Sequence, residues 1–334
     1  MNNFAVTTFK YDLCVLATFS LLACIPPTEP LGPIQSGGKS IVSGTDVAPS
    51  PDGRMIAFLR DGLLFIADTS GANVIQLSPM GHLLSPRWSS DGTKIGFIRQ
   101  DTVSWYFHKI FLFDLHTKTA RALVGADTVF TLSGSRFDWQ WSPDGQFIAF
   151  LSTDQSQRML KVVRVSDGSV SNRLPAREFS WSPTSAQLVC TAPGPTDSTI
   201  IGLVNIGNNI LTPIVTGKPA NLLGWLPTTS KIVFYSSSTG LVVYDLDNGM
   251  QTPIYISPLQ WDLAPNGLKI AYVQQTYPFN PDEGSQFDLY CYGLSTNTVT
   301  LLIHGNAFIT ARWSPRSDYV YYIFSDSIYK TGAP

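Results

Sequence analysis

The sequence predicts an all-β fold, a seven-bladed β-propeller of four-stranded antiparallel blades closed by an N-terminal strand, with six or eight blades as the alternatives. Three observations carry that prediction. The decapeptide Trp141-Ser142-Pro143-Asp144-Gly145-Gln146-Phe147-Ile148-Ala149-Phe150 returns in variant form along nearly the whole chain, anchored at Pro51, Ser90, Pro143, Pro183, Pro227, Pro265 and Pro315. A short apolar run follows each anchor, as in Ile56-Ala57-Phe58 and Val320-Tyr321-Tyr322. Of the chain's 8 tryptophans, Trp88, Trp141, Trp181, Trp225 and Trp313 stand two residues before an anchor. A period of roughly 40 residues with several short strands in each is the signature of propeller blades.

Each repeat rests on turn chemistry. Pro143 sets φ at the start of the turn, Asp144 bonds its own backbone, Gly145 supplies positive φ, and Phe147-Ile148-Ala149-Phe150 continues as a buried strand. Composition agrees: 26 Gly and 23 Pro in 334 residues, only 14% of them charged, suit a chain of many tight turns. A repeat running from end to end argues for one closed array instead of two domains. A net charge of -2 with no basic run gives no reason to expect a nucleic-acid partner.

Taken in order, the chain opens on a segment outside the repeat. Lys10 precedes an apolar stretch from Leu13 to Ala23, shorter than the roughly 20 residues a membrane-spanning helix needs but suited to a signal-peptide core. It ends on Leu21-Leu22-Ala23-Cys24, which resembles the lipobox of bacterial lipoproteins. That resemblance implies a signal peptide over 1–23, lipidation at Cys24, and an extracytoplasmic chain anchored on the periplasmic or outer face of a membrane. An ordinary secretory signal and an unprocessed apolar tail are the alternatives. Residues 24–38, rich in proline and glycine, read as a tether, and 39–334 as a single propeller domain.

Unit one shows four strands, Asp46 to Pro49, Met55 to Leu59, Leu63 to Ala67 and Val74 to Leu77, separated by glycine-bearing turns. Unit two inserts 100–109, with Trp105 and Tyr106, between its second and third strands, and a connection over 125–137 separates it from unit three. Units four and five lose the Asp-Gly turn, having Thr184-Ser185 and Thr228-Thr229, and the fourth strand of unit four is faint around Ile210 to Ile214. Unit six inserts 274–286, read as a loop carrying Tyr277 and Phe279. Unit seven has no outer strand of its own, and 39–43 supplies one, closing the ring and leaving no open sheet edge there. Cys190 and Cys291 fall in non-adjacent units and read as buried free thiols.

The Trp-Ser-Pro-Asp-Gly hairpin followed by Ile-Ala-Phe resembles the repeat of the TolB-like propellers, a WD-repeat-like pattern also found in the propeller halves of prolyl-oligopeptidase-type enzymes. The resemblance covers 45–329 and implies the fold more firmly than any function. TolB itself resembles a six-bladed ring behind an α/β domain, whereas seven anchors stand here. No Gly-x-Ser-x-Gly nucleophile elbow of the peptidases occurs in the chain. Some similar propellers are lyases with a histidine-held metal, but His82, His108, His116 and His304 are scattered without ligand spacing. Only His82 and His304, each preceding a first strand, are placed to meet near the axis. No metal or cofactor is expected, and Asp245-Leu246-Asp247-Asn248-Gly249 reads as a turn, lacking the remaining ligands of a calcium loop.

The innermost strands alternate. Positions two and four before each anchor are mostly apolar and pack between blades, which assigns the tryptophan column to packing and not to a ligand cage. Positions three and five before it are polar: Arg87, Gln140, Ser180, Asp262 and Arg312, with Asp46, Ser85, Asp138, Glu178, Gln260 and Thr310. They form either a channel mouth for a polar ligand, with Arg87, Asp138, Glu178, Asp262 and Arg312 as its charges, or a self-satisfied ring that closes the axis.

In a propeller the loops between second and third strands share a face with the blade-to-blade connections. Trp105, Tyr106, Tyr277 and Phe279 therefore crowd one rim as a candidate interaction patch. The leading expectation is a non-enzymatic, monomeric, membrane-tethered module that binds a protein, a peptide or a cell-envelope polymer. The alternatives are a polysaccharide lyase or hydrolase at the channel mouth, with Glu178 or Asp138 as acid or base, and a purely structural scaffold.

Overall fold

The repeated turn closes on its own side chains. Ser142 Oγ donates to Asp144 Oδ1 (2.5 Å) and accepts the Phe147 N–H (2.9 Å), while the Gln146 N–H bonds Asp144 Oδ1 (3.0 Å). Ser50 with Asp52 and Ser89 with Asp91 repeat the pattern. Each such turn joins the first two strands of a blade. The computed structural model describes residues 40–79, 81–100, 108–123, 139–154, 157–196, 198–217, 220–236, 240–256, 258–280, 284–305 and 309–334.

Seven four-stranded antiparallel sheets form a ring. Their inner strands are Thr45–Pro49, Leu83–Trp88, Trp139–Trp141, Glu178–Trp181, Ala220–Trp225, Gln260–Leu263 and Thr310–Trp313, which begin blades 1 to 7. The second strands are buried on both faces, since a neighbouring blade covers each side; Ile56, Ala57 and Phe58 are all fully buried. The core is accordingly divided among the seams. Between blades 3 and 4, for example, Leu160 and Val162 pack with Phe179 and Leu188.

The ring closes as the sequence predicts. Val42–Ser43 pairs with the last strand, Ser327–Gly332, through Val42↔Ile328 and Ser43↔Ser327. The Ile41 N–H to Ile328 O bond (2.7 Å) and the Gly44 N–H to Asp326 O bond (2.9 Å) flank that pair. Val42 and Ile328 then join Val47, Ile56 and Phe58 in the seam between blades 7 and 1.

Three local expectations need correction. The 274–286 segment is not a loop: Lys269–Asn280 and Gly284–Gly293 make a hairpin longer than that of any other blade, because Gln274, Gln275 and Thr276 keep pairing with Asp288, Phe287 and Gln286. In blade 2 the pairing reaches Gln100↔His108, so the insert shrinks to 101–107, outside the described residues. The faint fourth strand of blade 4 is a full strand, Leu211–Gly217, which tolerates Pro213 because it lies at a sheet edge.

The units without a turn glycine still need a positive φ in the turn. Ser185 and Ser317 hold it at the glycine position, with φ of 60° and 61°, whereas in blade 5 it moves one residue back to Thr228, at 62°. Two of them offset that cost by bridging blades: Ser185 Oγ accepts the Asp144 N–H (2.9 Å), and Ser317 Oγ accepts the Asn266 N–H (3.1 Å). Cys190 and Cys291 are free and buried, and burial pushes the Cys190 thiol up to about 12.

Candidate binding funnel

Alternation along the inner strands sends some side chains to the seams and others to the axis. Arg87, Gln140, Ser180, Gly224 and Arg312, each three residues before an anchor, line a funnel of about 610 Å³. The turn prolines Pro51, Pro143, Pro183 and Pro227 place it on the face of the Ser-Pro-Asp-Gly turns.

The tryptophan column does more than pack. Trp88 Nε1 donates to Ala48 O (2.9 Å), Trp141 Nε1 to Arg87 O (3.2 Å), Trp181 Nε1 to Gln140 O (3.3 Å) and Trp313 Nε1 to Asp262 O (2.9 Å). Every acceptor lies in the preceding blade, so each indole clamps a seam while its ring fills it. Trp88, Trp141, Trp181 and Trp225 also show an edge to the funnel, a role the packing assignment did not include.

Blade 5 departs from this scheme. Trp225 Nε1 turns to Thr229 O in its own turn (2.8 Å), and position 263 holds leucine. The carbonyls of Ser180 and Gly224, equivalent to the clamped ones elsewhere, therefore receive no indole. Side chains from blade 4 hold this seam instead: Glu178 Oε2 accepts the Leu222 N–H (2.6 Å) and Ser180 Oγ accepts the Trp225 N–H (3.0 Å). A register shift between Leu222 and Gly224 allows this, with Gly224 at φ 147°. A β-carbon there would lie 3.1 Å from Leu263 Cδ1.

The acidic residues serve seams more than the mouth. Asp262 is buried, and its Oδ2 accepts the Trp313 N–H (2.7 Å). Glu178 also accepts from Thr191 Oγ1 (3.3 Å). Burial pushes its carboxyl up to about 7, against the opposing pull of the Leu222 and Thr191 bonds and of Arg158 and Arg177. Asp46 lines the funnel, with Oδ2 accepting the Ser85 N–H (3.3 Å). Among the described lining residues the charges are thus two arginines and one aspartate. The Arg87 guanidinium lies 5.5 Å from the centre of the Trp139 ring, and Arg312 Nη1 bonds Ala311 O (2.9 Å). Such a wall favours anions and carbonyl-rich ligands.

The predicted residues therefore part company. Arg87 and Arg312 share the funnel, while Glu178 and Asp262 stand in seams. Cys24, Trp105, Tyr106 and Asp138 lie outside the described residues. Tyr277 and Phe279 fall in the strand Lys269–Asn280, whose backbone alone is described at those positions. His82 and His304 do not meet near the axis: His82 is exposed between blades 1 and 2, whereas His304 Nδ1 bonds Asp288 Oδ1 (2.6 Å) on the third strand of blade 6. Among the described residues no three His, Cys, Asp or Glu side chains converge on a cation position. The indole clamps, and their absence at the Ser180 and Gly224 carbonyls, escaped the sequence reading; Leu263, where a tryptophan is due, was the signal for the second of these.

No protein-family model matches the chain, and no curated protein matches its sequence. Solved structures do resemble it. An oligogalacturonate lyase from Vibrio parahaemolyticus superposes with a TM-score of 0.63 at 13% identity, over 88% of this chain and 90% of that one. The β-propeller domain of the Trilobed protease from Pyrococcus furiosus gives 0.60 at 13% identity, over 87% and 92%. TolB from Acinetobacter baumannii is matched at 16% identity with a TM-score of 0.46, over 86% of this chain; the chain spans 62% of TolB's length. At such identities the lyase and protease structures establish the propeller fold and nothing finer.

Proposed function

We propose that the chain is an extracytoplasmic binding module, tethered through Cys24, whose funnel takes an acidic segment of a protein, peptide or cell-envelope polymer. The observation that supports this is the imbalance of the wall. Arg87 and Arg312 face the mouth, while the acids at neighbouring positions, Glu178 and Asp262, are engaged with backbone N–H groups in the seams. Arginine forks pair with carboxylates in two-point geometry, and the tryptophan and proline rim offers flat apolar surface for the rest of a ligand.

The test is titration of the full chain with poly-glutamate, poly-lysine and a neutral glucan, read by tryptophan fluorescence. Poly-glutamate should bind selectively, and Arg87→Glu with Arg312→Glu should weaken it by at least about tenfold. Equal binding by the double variant refutes the funnel reading. The tether is tested separately: Cys24→Ser should move the protein from the membrane to the soluble fraction of cells.

A second reading places the contact on the opposite face. Tyr235, Tyr255 and Leu259 are exposed there, at 37%, 80% and 52%, and the Leu259 N–H bonds Val273 O (2.8 Å) in the lengthened hairpin of blade 6. Tyr255→Ser with Leu259→Ser would abolish partner capture on that reading and leave poly-glutamate binding intact.

A further inference from the structure

A sheet edge is an open row of backbone donors and acceptors, and soluble proteins blunt such edges with proline, charge, bulges or brevity. Six of the seven outer edges of this ring are blunted in those ways. Blades 1 and 7 end in two-residue strands, Ile75–Gln76 and Val42–Ser43. Blade 2 ends in Thr119–Ala122, with Arg121 exposed at its middle. In blade 3, Val170–Pro175 carries Arg173, whose N–H is capped by Asn209 Oδ1 (2.8 Å). Leu211–Gly217 in blade 4 and Gln251–Ile254 in blade 5 contain Pro213 and Pro253.

Blade 6 is blunted only at one end, by a bulge at Leu302 between the pairs Leu289↔Ile303 and Tyr290↔Leu301, and Thr298 to Leu301 keep continuous register. Its outer strand, Thr298–Ile303, reads Thr-Val-Thr-Leu-Leu-Ile, with neither charge nor proline. It ends its sheet, and among the described residues no further strand lies beyond it. Residues Thr298 to Leu301 are all exposed, and Val299 and Leu301 show 51% and 39% of their surface. High β-propensity without a charge is the composition that recruits another strand.

We propose that this edge pairs with the same edge of a second copy, as an antiparallel two-fold dimer centred on Thr300. The strand's own sequence selects that occupant. With Thr300 opposite its symmetry mate, Val299 faces the partner's Leu301 and Leu301 faces the partner's Val299. Both exposed apolar side chains are then covered on one face, and no like charges meet. Shifting the centre to Val299 or to Leu301 separates that pair. The strand is the outermost of blade 6, so the dimer leaves both funnels open, and the proposal is independent of what the funnel binds.

The experiment is sedimentation of the full chain over a concentration series, with Thr300→Cys crosslinking as a test of register. The wild type should show reversible dimerisation, and Leu301→Lys should weaken it by at least about tenfold while leaving the far-ultraviolet dichroism unchanged. Under mild oxidation Thr300→Cys should give a disulfide-linked dimer beyond the wild-type background, and Thr252→Cys on the outer strand of blade 5 should not. The proposal is overturned by a chain that stays monomeric throughout with no Thr300→Cys crosslink, by equal crosslinking at Thr252→Cys, or by a monomer whose edge takes an added extended peptide instead.

Discussion

Replacing Glu178 with glutamine should remove a penalty that grows with pH. The carboxyl is buried in the seam between blades 4 and 5, and burial lifts its ionisation from 4.5 to about 7. Each displaced pH unit corresponds to about 1.4 kcal/mol. The folded form holds this proton more tightly than the unfolded chain does. Its contribution to stability is therefore fully present below pH 4.5, falls as pH rises, and is lost above about 7, a change of about 3 kcal/mol. Glutamine keeps an oxygen for the Leu222 N–H but has no charge to desolvate. His108, whose ionisation burial lowers, adds an opposite slope below its ordinary 6.5, so the wild type alone would mislead. The difference between wild type and Glu178→Gln isolates the carboxyl. Urea unfolding followed by tryptophan fluorescence should show the variant gaining about 3 kcal/mol on the wild type between pH 4.5 and 8. A difference that stays flat across that range refutes the reasoning, since the group would then ionise in the fold as readily as in the unfolded chain.

Trp313→Phe keeps an aromatic ring but loses the indole N–H that bonds Asp262 O, leaving a buried carbonyl without that donor, and should cost about 1–3 kcal/mol in urea unfolding. Gly224→Ala should cost about 1–3 kcal/mol by the same measure, because φ of 147° disfavours a β-carbon and Leu263 stands in its way. Deleting the chain through Ser43 strips blade 7 of its outer strand and the seam of Val42. A loss of about 3 kcal/mol is expected, with a lower thermal midpoint that the wild-type chain does not show.

The sequence by itself determined the ring. Turn residues and burial patterns are local properties, so Pro143-Asp144-Gly145 and its relatives announce each hairpin. A period near one blade length, with a spare strand at 39–43, points to a closed seven-bladed array, and the seven sheets of the structure remove the six- and eight-bladed alternatives. Pairing length was less legible: Tyr277 and Phe279 read as loop because aromatic and proline residues near 274–286 mask an alternation that only the facing strand reveals. The funnel was half visible. A polar column at the axis followed from strand alternation, but which of its charges line the funnel did not. That was decided in three dimensions, where the shift at Gly224 lets Glu178 reach the Leu222 N–H, and where Asp262 reaches the Trp313 N–H of the next blade. A carboxylate in sequence carries no record of the backbone donor beside it. The tertiary structure supplies that donor from another blade, and so leaves Arg87 and Arg312, with Asp46, as the charges facing the mouth among the described residues.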